Sequence, residues 1–71
     1  MKIDITSPDG NTLTALGHAT RFMRQARLDA TDIIALRAAV MTAKTAEEAR
    51  SAITKATMGC IEFYDPREDD Q

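Results

Sequence analysis

The chain contains no tryptophan, one cysteine, one histidine and two prolines among its 71 residues. Because Cys60 has no second cysteine to pair with, an internal disulfide scaffold is excluded. Zinc sites use several cysteine or histidine ligands, and only Cys60 and His18 are present, so we expect no metal and no cofactor. No segment has the apolar length of a membrane span, and Asp4 interrupts the order of a signal peptide. We therefore expect a cytoplasmic protein with no membrane partner.

The chain also lacks an excess of positive charge. Its formal net charge is −2 and its sequence pI is about 5.2, which argues against general, charge-driven binding of nucleic acid. The charges are unevenly distributed, however. Three arginines lie in the first half of the chain, and acidic residues close it: Arg21, Arg24 and Arg27, and then Asp65, Glu68, Asp69 and Asp70.

The length and the apolar composition allow one small domain. A domain of this size buries only about 60% of the surface that its unfolded chain exposes. Much of the apolar fraction consists of alanine, so each residue contributes little burial. Association of two copies would add apolar area, and we expect a homodimer.

The two ends of the chain show the alternation of half-buried strands. Apolar and polar residues alternate over 2–6 and again over 60–64. The turn residues of 7–11 end the first run, and Pro66 prevents the second from continuing. The segment 7–11 has neither the acidic ligands of a calcium loop nor the glycines and Lys-Ser/Thr pair of a phosphate loop. The residue types of this segment are those of a turn followed by a helix N-cap, and no ligand is needed to explain them.

Helical patterns fill the space between the strands. Polar residues suited to N-caps precede each pattern, and Thr45 with Glu48 has the spacing of a capping box. Gly59 is suited to end the last helix. The predicted bounds are 12–27, then 29 or 31 to 43 or 44, and then 45–58.

The second helix carries two apolar stripes. Ile34 and Met41 lie about 120° from the other stripe, and Arg37 lies between the two. The other stripe consists of Ile33, Leu36 and Val40. A helix of this kind is either central to the fold or shared with a partner.

These patterns predict an α+β fold of order β-α-α-α-β, in which the chain ends form a two-stranded sheet covered by a helical layer. The predicted domain is 1–65, followed by a mobile acidic tail over 66–71. Both directions of the second strand, parallel and antiparallel, are compatible with the pattern.

The opening Met1-Lys-Ile-Asp-Ile-Thr-Ser-Pro-Asp-Gly-Asn11, followed by an apolar helix, resembles a loose group of small phage and prophage proteins. The resemblance covers about the first quarter of the chain. It implies a phage-type context, in which small acidic proteins bind and modulate a host protein. It transfers no catalytic residue.

Catalysis would need a nucleophile with a base, and the candidates are Cys60 and His18. A small buried thiol after Gly59 and a solvated or capping histidine explain both residues without reactivity. We therefore expect no enzyme. The enzyme hypothesis requires a concave pocket that joins His18 to Cys60.

A candidate binding surface consists of His18, Arg21, Arg24, Arg27 and Arg37. The arginines of the first helix could bind phosphates or an acidic protein surface, or they could pair with acidic neighbours, including the tail. Arg37 could be buried beside a carboxylate at a dimer contact, or its stem could cover apolar surface while its head reaches water.

The function predicted from these features is that of a non-enzymatic protein-binding module, a phage-type modulator or inhibitor of a host protein, with a defence system as one possible target. The alternative is a nucleic-acid-associated accessory protein that uses the arginine face of the first helix.

Overall fold

The two ends of the chain form a parallel pair of strands in the computed structural model, which describes residues 1–67. Within this range the order is β1 (Lys2–Asp4), α1 (Thr12–Gln25), α2 (Ala30–Thr42), α3 (Ala46–Ala56) and β2 (Glu62–Tyr64), with a 3₁₀ turn at Pro8–Gly10. The predicted β-α-α-α-β fold is confirmed. Of the tail predicted over 66–71, residues 68–71 lie outside the described residues.

The strand direction, which the sequence left open, is parallel. Lys2 is opposite Glu62, and Asp4 is opposite Tyr64. The backbone N–H of Ile5 also donates to the carbonyl of Tyr64 at 3.0 Å, so the pairing extends one residue past β1. Three helices supply the crossover connection that a parallel pair requires.

Each helix begins at a side chain that accepts a hydrogen bond from the backbone. The Asn11 side chain accepts from the N–H of Leu13 at 2.9 Å, and the Thr45 side chain from the N–H of Glu48 at 3.1 Å. Asp29, rather than Thr31, caps α2. These caps satisfy N–H groups that have no partner inside the helix.

All three helices end earlier than predicted, and α1 and α3 are each followed by a left-handed residue that is not glycine. Arg27 has φ 59° and Met58 has φ 55°. After α1, the N–H of Leu28 donates to the carbonyl of Met23 at 2.9 Å, which is the bond of a Schellman motif. α1 ends at Gln25 rather than at Arg27, α2 at Thr42 rather than at Ala43 or Lys44, and α3 at Ala56 rather than at Met58. The first left-handed residue after α3 is Met58, one residue before the predicted Gly59. Gly59 follows the left-handed residue and has φ 81°.

The core lies between the helices and one face of the sheet. Met23 and Ile53 are almost completely buried, and Phe22 and Phe63 pack against the core at its edge. The other large buried side chains are Ile3, Leu16, Leu36, Val40 and Ile61. The hydroxyl of buried Thr57 donates to the carbonyl of Ile53 at 2.9 Å and accepts from the N–H of Ile61 at 3.2 Å. This bond fixes the end of α3 to the chain that enters β2.

Candidate functional site

The basic residues predicted on the first helix do not form one continuous row. Arg21 and Arg24 are exposed on α1, whereas Arg27 lies in the left-handed turn after the helix ends. No ion pair involves these three arginines within residues 1–67. The acidic tail residues proposed as their neighbours lie beyond the described part of the chain. Within the described chain, Arg21 and Arg24 are exposed and have no ion-pair partner.

His18 contacts the 3₁₀ turn rather than the arginines. Its Nε2 lies 3.3 Å from Oδ1 of Asp9, and the two side chains are 30% and 64% exposed. An exposed contact of this kind contributes little stability. It orients the imidazole toward the turn that precedes α1.

Cys60 and His18 lie in the same surface depression, which has a volume of about 310 Å³ and also contains Arg21 and Met1. Cys60 is exposed, so the expectation of a buried thiol is wrong. Its backbone carbonyl accepts from the amino group of Met1 at 2.6 Å, but no hydrogen bond joins the thiol to His18 in the described chain. A nucleophile and its base must come within hydrogen-bond reach of each other. The pocket that the enzyme hypothesis requires is present, and the hydrogen bond is not.

The two apolar stripes of α2 have different environments. Leu36 and Val40 are buried in the core, whereas Ile34 is 67% exposed and Met41 is 71% exposed. Arg37 is also exposed, so it is not a buried arginine of this domain. We call the exposed stripe the outer face of α2; it consists of Ala30, Ile34, Arg37, Ala38 and Met41.

A groove between α2 and α3 adjoins the outer face of α2 and was missed by the sequence reasoning. Its volume is about 480 Å³, and its lining includes Ala35, Ala39, Ala52 and Ala56 beside larger side chains such as those of Leu36 and Met58. The signal was available in the sequence, because both helices carry a pair of alanines four residues apart. Small side chains on both helices leave space between them above the core.

The charged groups at the end of β2 form a local pair. Arg67 donates from Nε to Oδ1 of Asp65 at 2.8 Å and from its backbone N–H to the same oxygen at 2.9 Å. These hydrogen bonds from Arg67 hold the pKa of the Asp65 carboxyl below its ordinary value, and the positive charge of Arg50 adds to the effect.

Comparison with known proteins found no protein-family model, no curated protein and no solved structure that matches this chain. The resemblance of the first eleven residues to phage proteins therefore stays a prediction. Within residues 1–67 no helix has both the length and the apolar character needed to cross a membrane. The same residues contain no cluster of three or more His, Cys, Asp or Glu side chains that could hold a metal ion.

Proposed function

We propose that the protein is a non-enzymatic protein-binding module whose binding surface is the outer face of α2. The observation that supports this is the exposure of Ile34 and Met41 on a helix whose opposite face already fills the core. A surface helix normally carries polar residues on its solvent face. The outer face of α2 is apolar apart from Arg37, although Thr31, Asp32 and Thr42 are also exposed elsewhere on the helix.

The composition of this face indicates the chemistry of the partner. Burial of a side chain the size of Ile34 or Met41 contributes about 1.5–3 kcal/mol. Arg37 lies between them and has no ion-pair partner within the described residues. A partner that covers the apolar side chains must also satisfy this guanidinium, because an unpaired charge is costly to bury. The matching surface is an amphipathic helix that carries a carboxylate between apolar side chains.

This chemistry favours a different protein over a second copy of the chain. In a two-fold pair of α2 helices, the two Arg37 side chains would lie near the axis and close to each other. The outer face of α2 carries no carboxylate that could pair with them. The predicted homodimer is therefore the competing occupant of this face, and the experiment below distinguishes it.

The biological setting that we propose follows from the resemblance of residues 1–11. It is a phage-type setting in which the module binds a host protein in the cytoplasm and modulates or inhibits it. A component of a defence system is one such target.

The proposal is tested by selecting binders from a displayed library of amphipathic helical peptides. We expect enriched peptides to carry Asp or Glu flanked by Leu, Ile or Met. Ile34→Asp and Arg37→Glu should each weaken these peptides at least tenfold, since each change removes one element of the complementarity. The control is Leu13→Asp, because Leu13 is an equally exposed apolar side chain on α1.

Two results would contradict the proposal. One is selection of peptides whose binding is unaffected by both α2 substitutions. The other is a dimer in sedimentation equilibrium that Ile34→Asp dissociates, which would assign the face to a second copy.

The second candidate function, nucleic-acid binding, is favoured by Arg21 and Arg24, which are exposed and form no ion pair within residues 1–67. Binding of this kind releases counterions, so the affinity should fall steeply as salt rises. The double change Arg21→Glu and Arg24→Glu should abolish binding to a fluorescent single-stranded or duplex oligonucleotide. Absence of binding by the unmodified protein at low salt would remove this candidate.

A further inference from the structure

The two-stranded sheet is open to solvent beside β2. A depression of about 420 Å³ lies against the sheet, and its lining consists of Lys2 of β1 with Glu62, Phe63 and Tyr64 of β2. Phe63 is half-buried, whereas Glu62 and Tyr64 are exposed. A pair of strands is marginally stable by itself, and an uncovered strand is a template for pairing with another chain.

The hydrogen bonds between the strands show which backbone groups of β2 face away from β1. The N–H of Glu62 donates to the carbonyl of Met1 at 2.9 Å, and the carbonyl of Tyr64 accepts from the N–H of Ile5 at 3.0 Å. Successive residues of a strand direct their N–H and C=O groups to alternate sides. Since Glu62 and Tyr64 face β1, the N–H and C=O of Phe63 face away from it.

The residues on either side of Phe63 extend this edge. The carbonyl of Ile61 and the N–H of Asp65 make no hydrogen bond within residues 1–67. The N–H of Ile61 is already bonded to the Thr57 hydroxyl at 3.2 Å, and Pro66 has no N–H to donate. We call the outer edge of β2 the N–H and C=O of Phe63, the C=O of Ile61 and the N–H of Asp65.

The opposite edge of the sheet, on β1, is partly closed by the chain that follows it. The carbonyl of Asp4 accepts from the backbone N–H of Ser7 at 3.0 Å and from the Ser7 hydroxyl at 2.6 Å. The 3₁₀ turn at Pro8–Gly10 packs against the same strand. A further strand at β1 would have to displace these contacts, so β2 is the accessible edge.

The outer edge of β2 is complementary to the same edge of a second copy. In an antiparallel pair centred on Phe63, the Phe63 N–H of each copy donates to the Phe63 carbonyl of the other. The Asp65 N–H of each copy then meets the Ile61 carbonyl of the other. Every donor finds an acceptor, as a two-fold interface between identical surfaces requires. The product is one continuous sheet of order β1-β2-β2-β1.

The side chains favour this register over its neighbours. On the solvent face, Glu62 of one copy lies opposite Tyr64 of the other, and Lys2 lies on the other side of Glu62. On the core face, the two half-buried Phe63 rings become neighbours, and aromatic cross-strand pairs stabilise sheets. A pair centred on Glu62 would place two carboxylates opposite each other. A pair centred on Tyr64 would place Phe63 opposite the carboxylate of Asp65.

We infer that the outer edge of β2 pairs antiparallel with that of a second copy, in the register centred on Phe63. The strands are three residues long and bury little surface, so the dimer is transient. This inference goes beyond the proposed protein-binding function. No residue of the outer face of α2 belongs to this edge, so the two surfaces are tested separately.

The first test is amide hydrogen exchange of the ¹⁵N-labelled full chain, measured by NMR at about 0.05 mM and about 1 mM protein. We expect exchange of the Phe63 and Asp65 amides to slow severalfold at the higher concentration. The Glu62 and Tyr64 amides face β1 inside each copy, so they should be protected equally at both. Rapid exchange of Phe63 at both concentrations, or a monomer at about 1 mM in sedimentation equilibrium, would overturn the inference.

A matched pair of charge variants separates pairing from folding. Tyr64→Glu places a carboxylate opposite Glu62 of the second copy and should weaken the dimer about tenfold, because the two-fold axis repeats the contact. Tyr64→Lys removes the same ring but attracts Glu62, so the dimer should be at least as tight. Melting temperatures of the dilute proteins show whether each variant folds.

The control is Ile34→Asp, which changes the outer face of α2 and should leave the β2 dimer unchanged. Sedimentation equilibrium of all three variants measures the effects. Equal weakening by both Tyr64 variants, or dissociation by Ile34→Asp, would contradict pairing through β2.

Discussion

Both faces of α2 carry large apolar side chains, but one face is buried in the core and the other is exposed to solvent. Leu36 is 4% exposed and Val40 is 7% exposed, whereas Ile34 and Met41 are 67% and 71% exposed. The helix is therefore almost equally apolar on both sides, although only one side contacts α1 and α3. Hydrophobic character alone does not decide which stripe becomes core. The positions of the neighbouring helices decide it.

This comparison assigns different roles to the two stripes. The inner stripe stabilises the domain, because its side chains leave water when the chain folds. The outer stripe gains nothing from folding of a single chain. The proposed partner would cover Ile34 and Met41, and stability measurements on the two stripes test whether only the inner one contributes to folding.

The largest expected effect comes from a matched pair of substitutions on this helix. Leu36→Ala should lower the free energy of unfolding by about 3 kcal/mol, since it removes buried methyl groups and leaves a cavity. Ile34→Ala should change it by less than about 0.5 kcal/mol, since its side chain remains in water when the chain folds. Urea unfolding of both variants measures the difference. Equal destabilisation would mean that Ile34 is buried in solution, as in a dimer.

Gly10 and Gly17 give a similar contrast between a crowded position and an open one. A Cβ on Gly10 would lie 2.5 Å from the carbonyl oxygen of Ile5, whereas a Cβ on Gly17 would meet nothing within 4 Å. Gly10→Ala should therefore destabilise the protein by about 2 kcal/mol through overpacking of the turn against β1. Gly17→Ala should stabilise it by about 1 kcal/mol through helix propensity. Thermal unfolding of both variants measures the contrast, and effects of the same sign would contradict it.

The end of α3 allows a test at an exposed position, with a smaller expected change in stability. Met58 is 71% exposed and has φ 55°, a left-handed conformation that is unfavourable for a residue with a Cβ. Met58→Gly should stabilise the protein by about 1 kcal/mol, because it relieves this conformation and removes few contacts. Met58→Ala, which keeps the Cβ, is the control and should show no gain. Destabilisation by glycine would show that the Met58 side chain contributes to packing above the α2–α3 groove.

The sequence predicted the element order because the two alternating ends and the three capped helical patterns are local signals. Asn11 and Thr45 act as the caps that their positions indicate. The parallel direction was not predictable, because it depends on how three packed helices return the chain to β1. The left-handed residues Arg27 and Met58 were missed because glycine is the usual residue at such helix ends.

The candidate sites were predictable only in part. The exposed arginines of α1 and the second apolar stripe of α2 follow from helical periodicity. The depression that contains both His18 and Cys60 does not, because nothing in the sequence near Cys60 indicates that the chain before β2 lies beside α1. This arrangement depends on contacts between elements that are distant in the chain, and periodicity within one helix carries no information about them.

The smallest expected effect concerns Asp65, which follows β2 and forms a local charge pair with the exposed side chain of Arg67. Hydrogen bonds from Arg67 lower the pKa of the Asp65 carboxyl below its ordinary value of 3.8, so the ionised form favours the folded state. This contribution is fully present above the unfolded-state pKa and is lost as the pH falls through the lower folded-state pKa. The stability difference between the unmodified protein and Asp65→Asn should therefore be constant near neutral pH and shrink below pH 3.8. Urea unfolding at pH 7 and at acidic pH measures it, with Arg67→Gln as the control that should remove most of the pH dependence. A difference that stays constant through the acid range would show that the pair with Arg67 does not persist in solution.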